Sequence, residues 1–143
     1  MTIRITRLSS TVPMPAYATS GAAAFDLAAA AEVVVPPHGI ALVPTGLVVQ
    51  VPSGYFLAIL ARSSTPLKRG LMVANGLGVV DSDYCGPADE VKIQVINVTD
   101  QAVHVAVGDR LAQGMVLASP RVTFEEVDGS TKASRGGFGS TGR

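Results

Sequence analysis

Proline and glycine recur along the whole chain at intervals too short for long helices. Nine prolines (Pro13, Pro15, Pro36, Pro37, Pro44, Pro52, Pro66, Pro87 and Pro120) and fifteen glycines leave little room for a helix of three or more turns. Between these breaks the apolar residues repeat every two positions. Ile3 and Ile5 alternate with Arg4 and Thr6, and Val91, Ile93 and Val95 with Lys92 and Gln94. Val103, Val105 and Val107 flank His104 and Ala106, and Val122 and Phe124 flank Thr123. Valine is the commonest residue, and β-branched side chains suit a pleated strand. Many short strands separated by turn residues predict an all-β sandwich or barrel. One short helix has room between Ser64 and Gly70.

At 143 residues the chain is long enough for one ordinary domain. Its 48% hydrophobic content against 15% charged excludes intrinsic disorder. Eleven basic and eleven acidic residues cancel, so no global field attracts nucleic acid polymers or anionic membranes. A polyanionic ligand must be held locally, by clustered cations, main-chain amides or a metal. The single cysteine, Cys85, excludes a disulfide framework or a cysteine zinc site within one chain, and a reducing, cytoplasmic compartment is expected. The N-terminal MTIRITRLSS lacks a long apolar run, and no run approaches the roughly 20 residues of a membrane helix. The stretch Tyr55 to Ala61 is apolar on both faces, and without tryptophan and with few charges to cover such surface, self-association is expected.

From Asp128 the composition changes. The last sixteen residues, DGSTKASRGGFGSTGR, hold five glycines and one large apolar side chain, Phe138. The expected organisation is therefore a folded domain over 1–127 and a flexible arm over 128–143. The arm reads as a plain tail, or as glycine-rich backbone able to present successive N–H groups to phosphate.

Candidate nucleophiles are scarce. His38 follows two prolines in a turn, His104 lies on the polar face of a strand, and Cys85 has no histidine nearby in sequence. A carboxylate acting on water is the remaining chemistry. Asp26 follows a run of small residues and Phe25, while Asp81 and Asp83 follow a glycine-rich turn. Asp81, flanked by valines at a strand end, fits either a turn cap or a partly desolvated general base. Arg62-Ser63-Ser64 and Gly108-Asp109-Arg110 each combine a guanidinium with turn residues suited to phosphate oxygens.

In chain order these pieces resemble the five motifs of the trimeric deoxyuridine triphosphatases (dUTPases). They are Ala-Ala-Phe-Asp26-Leu27, Ala-Arg62-Ser63-Ser64, Gly78-Val-Val-Asp81-Ser-Asp83-Tyr84, Gly108-Asp109-Arg110-Leu-Ala-Gln113 and Arg135-Gly-Gly-Phe138-Gly-Ser-Thr-Gly142. The resemblance runs from about residue 12 to the C-terminus. It implies a distorted β jelly roll with one short helix, in a homotrimer with sites at subunit interfaces. It further implies Mg²⁺-dependent hydrolysis of dUTP to dUMP and pyrophosphate. By the same resemblance, Asp81 would deprotonate the attacking water, and Tyr84 would pack on the deoxyribose and exclude a 2′-hydroxyl. Asn75, Gly78 and Val79 would read the uracil edge. Arg62, Ser63, Ser64 and Gln113 would surround the phosphates, with Arg110 in support and Asp26 holding waters of the Mg²⁺. Phe138 would stack on uracil, while Arg135, Gly139, Ser140 and Thr141 close over the γ-phosphate from another subunit.

Three departures from the family pattern stand out. Ala24 stands where the family commonly has glycine, and Pro87-Ala88-Asp89 resembles an insertion. Arg135 lies three rather than five residues before Phe138, so that either the arm takes a shorter route to the γ-phosphate or Lys132 shares the role. Two alternatives share the fold class. The dCTP deaminase relatives release ammonia and lack the Gly-Gly-Phe arm, and the joint presence of Asp81, Tyr84 and Phe138 argues against a nucleotide-binding module that has lost turnover.

Overall fold

Alternation becomes burial along the strands. In the stretch Val91 to Asn97 the odd-numbered residues are buried and face the core, as the period of two requires. The computed structural model describes residues 1–130 and 132–137. The strands are β1 (Arg4–Arg7), β2 (Phe25–Ala28), β3 (Val33–Val35), β4 (Ile40–Pro44), β5 (Leu47–Gln50), β6 (Tyr55–Ala61), β7 (Leu71–Val73), β8 (Gly78–Val80), β9 (Lys92–Asn97), β10 (Val103–Val105) and β11 (Arg110–Ala118). A single short helix among the described residues, α1 (Ser64–Arg69), lies where the sequence left room for it.

All pairings are antiparallel. The largest sheet has the order β2-β11-β6-β8, a second has β4-β9-β7, and β1-β5 and β10-β3 form two-stranded ribbons. One core joins them, with Phe25, Leu27, Leu57 and Leu111 from the first sheet meeting Val43 and Ile93 from the second. Each such side chain contributes roughly 1.5–3 kcal/mol by leaving water. The all-β class with one short helix is therefore as the sequence implied.

Two glycines set how closely the strands of the large sheet approach. A Cβ on Gly114 would come 2.5 Å from the Phe25 ring, so the ring of β2 can lie over β11 only because that position is glycine. A Cβ on Gly78 would lie 3.0 Å from the Ile59 Cβ directly across the ladder. Ala24 lies in the bend before β2 and is not among the residues with positive φ, so no conformational demand for glycine exists there.

Two expectations fail. Val122 to Phe124 is not a strand: β11 ends at Ala118, and the segment beyond has no ladder partner among the described residues. Its apolar side chains face outward, Phe124 being 91% exposed. Val107 likewise falls after β10, in an exposed turn, because the strand stops at Val105.

Candidate active site

Asp26 is the centre of the best-formed polar cluster. It lies on β2 directly across from Gln113 of β11. Two guanidiniums reach its carboxylate, Arg62 Nε to Oδ1 at 2.8 Å and Arg110 Nη1 to Oδ2 at 2.9 Å. Two cations against one anion leave one unit of positive charge at this spot. Ser63 and Ser64 stand beside it at the start of α1, and the Ser63 side chain makes no capping hydrogen bond.

A bulge makes this geometry possible. Arg110 and Gln113 are three residues apart and would face opposite sides of a regular strand. The register shifts between Arg110 and Ala112, which reverses the alternation and turns Arg110 to the Asp26 side. Leu111 and Ala112 are consecutively buried as a result. The cluster is anchored from below by main-chain acceptors. Gln113 Nε2 donates to Ala61 O at 3.1 Å, Arg62 Nη1 to Arg110 O at 3.3 Å, and buried Thr65 Oγ1 to Leu111 O at 2.8 Å. A cleft of about 410 Å³ opens alongside, lined in part by Asp26, Arg110, Gly108, Thr11 and Tyr17.

The third motif lies elsewhere. Asp81 follows β8 next in register beyond the Leu57–Val80 pair, so it neighbours Phe56 at the start of β6. Asp26 is three strands away, in line with Gln113 and Leu60. At about 4.8 Å between strands and 3.3 Å per residue, the two carboxylates are roughly 20 Å apart. Asp81 and Asp83 border a separate polar recess of about 300 Å³ with Ser53, Ser119 and Arg121. The Asp81 carboxylate is exposed and makes no hydrogen bond or ion pair among the described residues. Among the described residues neither a turn-cap contact of the Asp81 side chain nor its burial is present, because no described element of the chain covers this strand end.

Tyr84 is 43% exposed and its hydroxyl donates to Glu90 O at 3.3 Å. Pro87-Ala88-Asp89 lies in the turn between Tyr84 and Glu90 that makes this contact. Asp89 Oδ2 accepts the Gly86 N–H at 2.7 Å, and Glu90 Oε1 accepts the Gly46 N–H at 2.8 Å. Asn75 and Val79 are exposed and Gly78 is buried in β8. Lys132 and Arg135 belong to an exposed stretch without regular structure, while Phe138, Gly139, Ser140 and Thr141 lie outside the described residues. His38 and His104 are on the surface, the former paired with Asp100 at 2.8 Å.

Sequence reasoning passed over Arg69 and Glu90, whose roles depend on partners about 40 residues away. Arg69 pairs with Asp109 at 2.7 Å. That hydrogen bond is the main reason the Asp109 carboxyl is held below its ordinary value. Burial opposes the shift, and the Ala106 N–H and the Arg69 charge reinforce it. The folded chain thus binds this proton more weakly than the unfolded one. Asp109 stabilises the fold above the ordinary carboxylate range, and that contribution is lost as pH falls through the lowered value. Thermal melts of Asp109→Asn are expected to show a flatter acid limb than the parent below about pH 5; parallel limbs would contradict this.

Among the described residues no three His, Cys, Asp or Glu side chains converge on a possible metal position. Both Asp26 oxygens already face guanidiniums, which suits contact with a metal's waters better than direct ligation. No helix is long and apolar enough to cross a membrane among the described residues.

Known proteins align with this arrangement over nearly its full length. The dUTPase family model matches residues 10–142. The deoxyuridine 5′-triphosphate nucleotidohydrolase of Wolinella succinogenes is 42% identical, over 100% of this chain and 95% of its own. The crystal structure of dUTPase from Streptococcus mutans superimposes with a TM-score of 0.78 at 32% identity, covering 85% of this chain and 98% of that one. The dUTPase of Staphylococcus bacteriophage 80alpha, solved with dUPNHPP, has the same fold at a TM-score of 0.87 and 23% identity, with 99% of each chain covered. A family match over both the jelly-roll core and the motif-bearing turns, with relatives at this identity over full length, means that the chain belongs to the dUTPase family of hydrolases.

Proposed function

We propose that this protein hydrolyses dUTP to dUMP and pyrophosphate in a homotrimer with active sites between subunits. The observation that carries the reading is the Asp26–Arg62–Arg110 cluster beside Ser63, Ser64 and Gln113. It supplies local positive charge and hydroxyls in a chain of zero net charge. A nucleoside triphosphate carries close to four negative charges, and spreading them is most of the catalytic problem.

In this reading Arg62, Ser63, Ser64 and Gln113 hold the phosphates, and Arg110 keeps Asp26 and Arg62 in register. Asp26 would accept hydrogen bonds from the waters of a Mg²⁺ carried in with the triphosphate, and the ion would supply neutralisation of phosphate charge. Asp81 takes the proton of the water attacking the α-phosphorus. Tyr84, steadied by its bond to Glu90 O, packs on the deoxyribose. Asn75 and the backbone at Gly78 and Val79 pair with the uracil edge, where an unmatched buried group costs roughly 1–3 kcal/mol against cytosine. The arm, residues 128–143, closes over another subunit's site. There Phe138 stacks on uracil, and Arg135 or Lys132 meets the γ-phosphate with Gly139, Ser140 and Thr141.

The roughly 20 Å between Asp81 and Asp26 supports the shared site, since one chain cannot bring both to one α-phosphate. Exposed Val122, Phe124 and Val127 support association, because a lone chain leaves them in water. The cellular role would be to limit uracil entry into DNA and to supply dUMP for thymidylate synthesis, in the cytoplasm. The test is pyrophosphate release from dUTP with Mg²⁺. Release from dCTP, dTTP and UTP is expected to be far slower, and no release from dUTP would sink the reading.

A further inference from the structure

Arg69 ends α1, the helix that begins at Ser64 beside Arg62 and Ser63. Its Nη2 donates to Asp109 Oδ2 at 2.7 Å and to His104 O at 2.8 Å. The same Asp109 oxygen accepts the Ala106 N–H at 2.9 Å, and the Asp109 N–H donates to Ala106 O at 3.1 Å. One carboxylate therefore closes the turn between β10 and β11 and ties it to the helix. The turn's main chain is also bound to the end of β2: Gly108 N–H donates to Ala29 O at 2.8 Å, and Ala29 N–H to Asp109 O at 2.9 Å. The next residue is Arg110, which reaches Asp26.

We propose that Arg69 is a positioning residue for turnover: through Asp109 it holds the β10–β11 turn against α1 and so sets where Arg110 meets Asp26 and Arg62. The inference rests on the hydrolytic reading above. The Arg110 side chain is 57% exposed, so little packing holds it and its location follows its backbone. Arg69 and Asp109 are 32% and 26% exposed, partly shielded and joined by directed bonds. The His38–Asp100 pair, at 64% and 92%, is an ordinary surface contact by comparison. At its other end α1 is bound to β11 through Thr65 and Leu111. The Arg69 link thus completes a closed frame of helix, turn and β2 around the guanidinium pair. Displacing a positioning group by about 1 Å can cost a hundredfold in rate.

The test compares full-length Arg69→Met, Arg69→Lys, Asp109→Asn and the Arg69→Met/Asp109→Asn double variant, assayed with dUTP and Mg²⁺ under saturating and limiting substrate. Folding and assembly are followed by melting and sedimentation. Arg69→Met is expected to lower kcat roughly tenfold to hundredfold with KM changed less than about threefold, and Arg69→Lys to recover most of the loss. The double variant should be no slower than the slower single one, since both remove the same link. A folded Arg69→Met with parental kcat, or single effects that multiply in the double variant, would overturn the proposal. Should Arg69→Met fail to fold, the isosteric Asp109→Asn decides: a reduced kcat supports the link and an unchanged one overturns it. If the parent protein does not turn over dUTP, it is the hydrolytic reading that fails; parental activity with unaffected variants removes only the role of Arg69.

Discussion

Replacing Asp81 by asparagine is expected to leave nucleotide binding near the parental level while dUTP turnover falls roughly 10²–10⁴-fold. The amide matches the carboxylate in size but cannot accept the water's proton. The fold has little at stake, because the Asp81 side chain is exposed and makes no hydrogen bond among the described residues. Binding of dUPNHPP and single-turnover release of pyrophosphate separate the two effects. Retained turnover would require another base. The roughly 20 Å between Asp81 and the Arg62–Asp26 pair adds a sharper form of the test. If they serve one site from different subunits, inactive Asp81→Asn and Arg62→Ala chains refolded together should regain activity that neither has alone. No recovery in verified mixed assemblies would count against a shared site.

The second large effect concerns the arm. A chain ending at Val127 is expected to keep its fold and assembly but to lose roughly a hundredfold in turnover. Among the described residues the last strand ends at Ala118 and every core residue precedes it, so no described side chain that the deletion removes is packed into the domain. It does remove Lys132, Arg135 and Phe138, the cations and the aromatic ring assigned to closure. Steady-state rates alongside sedimentation check this. Parental turnover in the shortened protein would take the arm out of the mechanism.

Much of the candidate site was legible beforehand because its motifs are local. Asp26 beside Phe25, Arg62 before two serines, and Asp81 three residues before Tyr84 are recognisable without any fold, since each occupies one turn or strand end. What was not legible involves partners distant along the chain. The grip of Arg110 on Asp26 spans 84 residues and depends on a bulge at Leu111 that no spacing announces. Arg69 has no motif around it, and its place becomes visible only once α1 is packed against the turn at Asp109. The alternation at Val122 to Phe124 misled for the same reason, since a strand pattern states a preference and a strand requires a neighbour.

By itself, then, the sequence determined the class: Pro and Gly breaks exclude long helices, period-two valines require sheets, and five ordered motifs name the family. Only the tertiary structure decided which strands are neighbours, and with that which candidate residues lie together. Arg62, Arg110 and Gln113 gather around Asp26 on the side formed by β2 and β11, while Asp81 lies beyond β8 at the opposite end of β6. The reason is that side-chain alternation is set by backbone geometry one residue at a time, whereas strand pairing is set by which apolar faces can be buried together, and that depends on the whole chain at once.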